Sequence, residues 1–123
     1  MANQKILIVE DQVVIAEQLK YFLEKYGFAC KYTDTGEEAL QLVEEFLPDV
    51  ILMDIFLAGS LNGIETTSIL KANYDTPIIY LTSHIDEEII RSAIKTNPAG
   101  FVSKTISHSE LKVQIDYVMQ KYK

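Results

Sequence analysis

Four short apolar runs in this chain of 123 residues each end beside a side chain that can take part in chemistry. Two acids, Glu10 and Asp11, follow the first of these runs. A carboxylate, Asp54, closes another, a hydroxyl, Thr82, closes a third, and an amine, Lys104, follows the fourth. Because the carboxyl ends of parallel strands meet at one edge of a sheet, these groups would face a single crevice. The sequence therefore predicts one site that combines acids, a hydroxyl and an amine.

Three carboxylates brought together at one sheet edge need something to neutralise them. At an effective dielectric constant near 20, each close pair of like charges costs roughly 4 kcal/mol, so the acids must bind a cation or take up protons. Mg²⁺ suits such a site, because it is a hard ion that binds through one or two carboxylates and keeps several waters. We expect Glu10, Asp11 and Asp54 to hold Mg²⁺, directly or through water, with Mn²⁺ as a substitute.

A cleft with Mg²⁺, a lysine and a hydroxyl is suited to phosphoryl transfer, in which positioning and charge neutralisation dominate the barrier. Asp54 is the best nucleophile, because it is central and its carboxylate can form an acyl phosphate. Lys104 would pair with Asp54 before the reaction and with a phosphoryl oxygen afterwards, and the Thr82 hydroxyl would donate to another oxygen. A single acid at a strand end is commonly just a solvated terminus, so this prediction depends on the joint occurrence of these groups.

Apolar runs alternate with helically spaced apolar residues along the chain, which is typical of βα units around a parallel sheet. Five runs are followed by helical stretches, and they span residues 6–9, 29–33, 50–53, 78–81 and 100–102. Buried strands and right-handed crossovers predict a doubly wound (βα)5 fold, a flavodoxin-like three-layer α/β sandwich whose five-stranded parallel sheet has the order 2-1-3-4-5. Ligands bind such sheets where the strand order reverses, here between the first and third strands, which carry the acids.

The helices are predicted from their end signals and from one apolar face each. Gly27 ends the first helix, and Thr35 with Glu38 forms a capping box for the second. Asn62 and Gly63 start the third helix, which runs to Tyr74. The acids from Asp86 start the fourth helix, and Ser107 with Glu110 forms a capping box for the fifth. The predicted core positions are Ile15, Leu19, Phe22 and Tyr26 in the first helix, Ala39, Leu40, Val43 and Phe46 in the second, Ile85, Ile89, Ala93 and Ile94 in the fourth, and Leu111, Ile115, Val118 and Tyr122 in the fifth.

The composition indicates one compact domain, residues 1–123, with no second unit. The hydrophobic fraction of 48% is enough for a core at this length. Eighteen acidic and eleven basic residues give a net charge of -7, and no Lys/Arg cluster is present, which argues against direct nucleic-acid binding. We expect protein partners rather than nucleic acid.

The cysteine content and the amino terminus favour a cytoplasmic location. The single cysteine, Cys30, excludes an internal disulfide and is interpreted as a small buried hydrophobe within a strand. The first residues contain no signal-peptide pattern, and no segment has the length needed to span a bilayer. We therefore expect no membrane association.

As a set, the motifs resemble those of the receiver domain of two-component response regulators, from Lys5 to about Tyr122. They are the acidic pair at positions 10 and 11, ILMD ending at Asp54, LTS with Thr82, and GFVSK with Lys104. The resemblance implies phosphoryl transfer to Asp54 from a sensor histidine kinase or a phosphotransfer protein, with Mg²⁺ required and with the backbone carbonyl of Phe56 as a further metal ligand. It implies a switch that turns over no metabolite and controls a downstream target protein or an output domain outside this chain.

The resemblance also implies how such a switch moves. The hydroxyl of Thr82 would shift toward the phosphoryl group, and Phe101 would move into the vacated space, which would remodel the face built from the fourth helix, the fifth strand and the fifth helix. The rival interpretation makes Phe101 an ordinary core aromatic. Phe56 and His84 would flank the path of attacking water, with Phe56 slowing its entry; His84 is either simply exposed or in contact with phosphate or a partner.

The chain departs from the family pattern at three places. Glu10 replaces a more frequent aspartate, so its metal contact would pass through water. Thr105 follows Lys104 where the family usually has a proline in a cis peptide, and we expect a trans bond because a cis bond before threonine costs roughly 2.5–4 kcal/mol. The segment 55–63 lacks the usual proline and is a residue longer than the common loop.

Three alternatives compete with the phosphorylation switch. A receiver-like scaffold would bind partners without phosphorylation. A flavodoxin-like redox carrier needs a phosphate-binding loop after the first strand, where Glu10 and Asp11 would repel a flavin phosphate. A phosphatase of the haloacid dehalogenase type needs a second acid where Phe56 stands. The assembly is expected to be a monomer or a phosphorylation-dependent homodimer, and the chain is either complete or a piece of a longer regulator.

Overall fold

Residues 3–83 and 86–122 are described by the structure, a computed structural model. Strands and helices alternate along them with these bounds: β1 Lys5–Val9, α1 Val13–Lys25, β2 Ala29–Thr33, α2 Gly36–Phe46, β3 Val50–Asp54, α3 Gly63–Lys71, β4 Ile78–Thr82, α4 Glu87–Ile94, β5 Gly100–Ser103 and α5 His108–Lys121. The interpretations of His84 and Ile85 concern positions outside the described residues.

The five strands form one parallel sheet in the order β2-β1-β3-β4-β5. Every residue of β3 and β4 is buried, and only Lys5 of β1 is partly exposed, because helices cover both faces of the central strands. Alternate side chains of each strand enter opposite layers, so Ile6 and Ile8 pack with α1 and α5 while Leu7 and Val9 pack with α2 and α3. The predicted three-layer fold and strand order are confirmed.

The helix starts follow the predicted polar signals. The side chains of Thr35, Asn62, Asp86 and Ser107 each accept a hydrogen bond from a backbone N–H in the first turn of α2, α3, α4 and α5. In the described helices the full reciprocal capping box forms at Asn62 with Glu65, not at the predicted Thr35 and Ser107, where only the hydroxyl half of the box is made. After α1, Gly27 has a φ of 92°, a conformation that glycine adopts without strain.

The predicted helix faces are wrong at three aromatic or aliphatic positions. Tyr26 is 50% exposed, Ile94 56% and Tyr122 43%, so none of them belongs to the core. Ile94 is the last residue of α4, and Tyr26 and Tyr122 directly follow α1 and α5, so both tyrosine hydroxyls can remain in water.

Two helices also differ from their predicted extent or phase. The buried residues of α1 are Ala16, Leu19 and Leu23, so the smaller alanine faces the sheet while Ile15 and Phe22 are only partly buried. α3 ends at Lys71 rather than continuing to Tyr74. None of the described helices combines the length and the apolar character needed to cross a membrane.

Candidate functional site

The sheet register brings the predicted chemical groups to one edge. Val9 of β1 pairs with Met53 of β3, so the residues that follow them, Glu10 and Asp54, emerge side by side. Asp54 pairs in turn with Leu81, the residue before Thr82. The reversal of strand order lies between β1 and β3, which is where doubly wound sheets bind ligands.

Three carboxylates meet at this reversal. One oxygen from each of Glu10, Asp11 and Asp54 lies within 4.8 Å of the other two. Glu10 is 0% exposed and Asp54 1% exposed, while Asp11 is half-buried. An all-oxygen set of carboxylates is the donor chemistry that Mg²⁺ prefers. The residues present therefore fit a divalent cation.

The ammonium of Lys104 occupies the space between two of these acids. Its Nζ lies 3.0 Å from Asp54 Oδ2 and 2.8 Å from Glu10 Oε1, and it donates to Glu10 Oε2 at 3.1 Å. The Lys104 backbone N–H donates to the Thr82 carbonyl at 3.0 Å, which fixes where the side chain starts beyond β5. The contact with Asp54 was predicted from sequence, whereas the pairing with Glu10 was not.

Burial controls the electrostatics of the cluster. It raises the pKa of Asp54 to about 7; the hydrogen bond from Lys104 opposes this rise, and the nearby Glu10 carboxylate adds to it. Burial lowers the pKa of Lys104, but its hydrogen bonds to Glu10 and Asp54 outweigh that effect and hold its pKa above the ordinary value. The lysine therefore remains charged, while Asp54 holds a proton in part of the molecules near neutral pH.

Backbone amides orient the two buried carboxylates. The N–H of Phe56 donates to Asp54 Oδ1 at 3.1 Å, and the N–H of Gln12 donates to Glu10 Oε2 at 3.1 Å. The Phe56 ring is 42% exposed. These amides belong to the turns that immediately follow β3 and β1, so the turn geometry sets the direction of each acid.

Close packing of α3 against β3 fixes the turn after Asp54. Gly63, the first residue of α3, donates its N–H to the Ile55 carbonyl at 2.8 Å. A Cβ at Gly63 would lie 2.0 Å from the backbone oxygen of Asp54, so this position has no room for a side chain. Between them the loop is held by the bridge of Ala58 with Thr35 and by a hydrogen bond from the Leu61 N–H to Glu37.

Thr82 and Phe101 lie on the neighbouring strands. Thr82, 9% exposed, ends β4 and pairs with Ser103 of β5. Phe101 is half-buried, with its ring centroid 5.4 Å from that of Tyr80. Both residues therefore lie on the two strands that follow β3 in the sheet. Their part in a switch remains a prediction.

Two smaller predictions are confirmed. The peptide bond between Lys104 and Thr105 is trans. Cys30 is 7% exposed, and burial raises the pKa of its thiol to about 12, so it behaves as a hydrophobe. His108 is exposed, although its ring also packs 4.5 Å from that of Phe22.

The fold is that of a doubly wound α/β protein. Its acid cluster, which could hold a metal ion, lies where the strand order reverses. Residues 6–116 match the family model described as the response regulator receiver domain, and the chain belongs to that family. Receiver domains act in phosphorylation-dependent signalling, generally use Mg²⁺, and interact with histidine kinases and output domains.

Two curated relatives of this chain are regulators of about twice its length. The chain is 33% identical over 112 residues to the transcriptional regulatory protein YdfI of Bacillus subtilis, covering 87% of this chain and 51% of that protein. It is 32% identical over 113 residues to the DNA-binding response regulator MtrA of Mycolicibacterium smegmatis, covering 92% of this chain and 49% of that protein. The chain thus spans about half the length of these curated relatives.

Among solved structures, the chain is similar to the signal receiver domain of a modulated diguanylate cyclase from Desulfovibrio desulfuricans. That domain has a TM-score of 0.92 at 35% identity, over 98% of this chain and 97% of that one. The names of these proteins describe different outputs, namely transcription, DNA binding and a cyclase. The likeness is therefore to the receiver fold and not to one output.

Proposed function

We propose that Asp54 accepts a phosphoryl group from a sensor histidine kinase or a phosphotransfer protein. One Asp54 oxygen attacks the phosphorus of the donor phosphohistidine, the bond from phosphorus to the histidine nitrogen breaks, and the imidazole leaves with that electron pair. The observation that carries this proposal is the placement of Asp54, 1% exposed, among two further acids and 3.0 Å from the Lys104 ammonium. Such an arrangement orients a carboxylate nucleophile and offers a cation to the incoming oxygens.

Lys104 and Thr82 are assigned to the transferred group. Lys104 Nζ contacts Asp54, and we assign the same ammonium to a phosphoryl oxygen once that carboxylate carries the phosphoryl group. Thr82 ends the adjacent strand and is proposed to donate its hydroxyl to a second oxygen. Thr82 is the last residue of β4 and Lys104 directly follows β5, so the backbone of each donor is anchored at the sheet edge that carries Asp54.

Glu10, Asp11 and Asp54, with the backbone carbonyl of Phe56, are proposed to hold Mg²⁺. When bound, the ion neutralises charge on the carboxylates and on phosphoryl oxygens. Mn²⁺ has the same preference for oxygen ligands and is expected to substitute for Mg²⁺. Glu10 is wholly buried and engaged by Lys104, which supports its predicted water-mediated contact rather than direct ligation.

The output of the switch is proposed to pass through the face formed by α4, β5 and α5 to a downstream target protein or an output domain. We propose that residues 1–123 form one receiver domain located in the cytoplasm, a monomer or a phosphorylation-dependent homodimer that turns over no metabolite. Contact of this chain with nucleic acid is not proposed, since its net charge is -7. DNA binding is named for the relative MtrA.

The competing functions lack a specific supporting observation. A phosphatase would need a second acid at Phe56, and a flavin carrier would place its phosphate against Glu10 and Asp11. A phosphorylation-independent scaffold would have no need of a lysine shared by two buried acids.

Phosphorylation by a small donor tests the proposal. The protein is incubated with Mg²⁺ and acetyl phosphate, and intact mass spectrometry is expected to find one acid-stable, base-labile phosphoryl adduct. Asp54→Asn should abolish the adduct, while Asp34→Asn, which changes an exposed acid just beyond β2 at the same sheet edge, should leave it unchanged. A wild-type protein without the adduct would favour the scaffold, and continued release of phosphate from many substrates would favour the phosphatase.

A further inference from the structure

Tyr80 is a fully buried tyrosine in β4, two residues before Thr82. Its exposed fraction is 0%, and its hydroxyl lies 2.7 Å from the hydroxyl of Thr96, in the turn between α4 and β5. Thr96 in turn donates its hydroxyl proton to the carbonyl of Ala93. A hydroxyl has only one proton to give, so Tyr80 must be the donor to Thr96. A directed chain of two hydrogen bonds therefore joins β4 to the end of α4.

α4 has few other attachments to the sheet. Ala93 is the one fully buried residue among the eight of this helix, all of which the structure describes. Ile94 beside it is 56% exposed, and Ile89 is only partly buried. Since so little apolar surface anchors the helix, a hydrogen-bonded contact at its carboxyl-terminal end is a large part of what holds it in place.

The ring of Tyr80 contacts the other residue assigned to the switch. Tyr80 and Phe101 are direct partners in the register of β4 and β5, with ring centroids 5.4 Å apart. One side chain thus touches Thr96, in the turn after α4, through its hydroxyl and Phe101 through its ring. Any rearrangement that displaces α4 or turns Phe101 must change the surroundings of Tyr80.

We propose that Tyr80 is a positioning residue that holds the α4 and β5 face in its unphosphorylated arrangement through the hydroxyl chain to Thr96 and Ala93. This inference rests on the proposed function of Asp54. The hydrogen bonds from Tyr80 to Thr96 and from Thr96 to Ala93 occur together with the contact between Lys104 and the Asp54 carboxylate. Phosphorylation must break or lengthen the hydroxyl chain to move α4, so the hydrogen bond opposes activation.

Removing the bond should shift the switch toward its activated arrangement. Coupling between two sites is reciprocal, so a variant that favours the activated arrangement must also bind a phosphoryl mimic more tightly at Asp54. One hydrogen bond that is made in only one of two states changes such an equilibrium by about 2-fold to 10-fold. Both Tyr80→Phe, which keeps the ring, and Thr96→Val, which keeps the shape of the side chain, remove it.

The experiment measures the affinity for beryllofluoride, a tetrahedral mimic of the phosphoryl group, in the presence of Mg²⁺. Fluorine NMR of the bound mimic reports occupancy directly and does not depend on tyrosine signals. Each single variant is expected to bind about 2-fold to 10-fold more tightly than the wild type. The double variant should bind no more tightly than Thr96→Val alone, because Thr96→Val already removes the Tyr80 bond together with the Thr96 bond to the Ala93 carbonyl. Faster hydrogen exchange of the amides at positions 95–97 in the unliganded variants would show that the end of α4 has been released.

Tyr32→Phe is the matched control. It removes a tyrosine hydroxyl that bonds to Glu17 at the opposite edge of the sheet, so it should leave the affinity unchanged. If Tyr80→Phe and Thr96→Val lower the free energy of unfolding but bind the mimic with wild-type affinity, Tyr80 is only structural and the inference is wrong. If the wild type itself binds no beryllofluoride, the proposed function fails, and the inference fails with it. Thr96 is only half-buried, so its variant answers the question even if Tyr80→Phe does not fold.

Discussion

Replacing Asp54 with asparagine is expected to stabilise the metal-free protein at and above neutral pH. Burial raises the pKa of Asp54 from its ordinary 3.8 to about 7 in the folded protein. A carboxyl group whose pKa is raised by folding contributes stability below pH 3.8, and this contribution is lost as the pH rises through about 7. At pH 8 the folded wild type therefore holds an unfavourable buried charge, which asparagine lacks.

The size of the effect follows from the difference between the folded and unfolded pKa values. The rise from 3.8 to about 7 corresponds to on the order of 4 kcal/mol, at about 1.4 kcal/mol for each pH unit. Asparagine has one acceptor oxygen where the carboxylate has two, so either the Lys104 ammonium or the Phe56 N–H loses its acceptor, which costs about 1–3 kcal/mol. The net gain at pH 8 is thus expected to be about 1–3 kcal/mol, falling to zero or below near pH 4.

Urea unfolding at pH 8 and pH 5, with and without Mg²⁺, measures this difference. Asp54→Asn should be the more stable protein at pH 8 in chelator, and its advantage should be smaller at pH 5. A bound divalent ion favours ionised carboxylates, so saturating Mg²⁺ should stabilise the wild type by about 2.7 kcal/mol at a concentration 100 times Kd. The variant has one carboxylate fewer, so Mg²⁺ should raise its free energy of unfolding by less. Saturating Mg²⁺ should therefore narrow or reverse the difference in unfolding free energy between the variant and the wild type.

The exposed acid Asp34 provides the control, and Asp34→Asn should change the unfolding free energy by no more than about 0.5 kcal/mol at either pH. An Asp54→Asn protein that is less stable than the wild type at pH 8 without metal would refute the assignment of Asp54 as a strained buried charge. An advantage that grows as the pH falls would refute it equally.

Three other outcomes are expected. Phe56→Asn should speed loss of the phosphoryl group severalfold, because its partly exposed ring is proposed to hinder water entry; slower loss would contradict this. Asp11→Asn should remove most of the stabilisation that Mg²⁺ gives in urea unfolding, since only two acids of the cluster remain; an undiminished response would exclude Asp11 as a ligand. Gly63→Ala would place a Cβ 2.0 Å from the Asp54 carbonyl and should cost about 3 kcal/mol or more, whereas Gly100→Ala, whose Cβ meets nothing within 4 Å, should cost little.

The strands could be predicted from sequence because burial on both faces leaves a simple signal. β3 and β4 are apolar at four consecutive positions, and a polar residue, Asp54 or Thr82, ends each run where the sheet reaches its edge. The positions of the acids then follow from parallel pairing, since neighbouring strands in register must end side by side. The candidate site could therefore be found without knowledge of any side-chain contact.

The helix faces were less predictable, because apolar residues exceed what one face can bury. In α1, apolar side chains from Val13 to Leu23 leave several choices of phase, and only packing selects Ala16 and Leu23 over the larger Ile15. The capping box at Asn62 and Glu65 had a readable signal, an asparagine followed three residues later by glutamate. The pairing of Lys104 with Glu10 had no such signal, since it depends on the reach of a flexible side chain across β1 and β3.

That shared lysine explains why a cation should be needed for the proposed reaction. Lys104 lies between Glu10 and Asp54, so a single ammonium compensates three clustered carboxylates and cannot by itself keep the pKa of Asp54 low. The raised pKa favours the protonated form of Asp54, and a protonated carboxyl is a poor nucleophile. A divalent cation would balance the two remaining negative charges and lower the pKa of Asp54. The dependence on metal is thus expected from the charge balance of the cluster, independently of any contact between the ion and the transferred group.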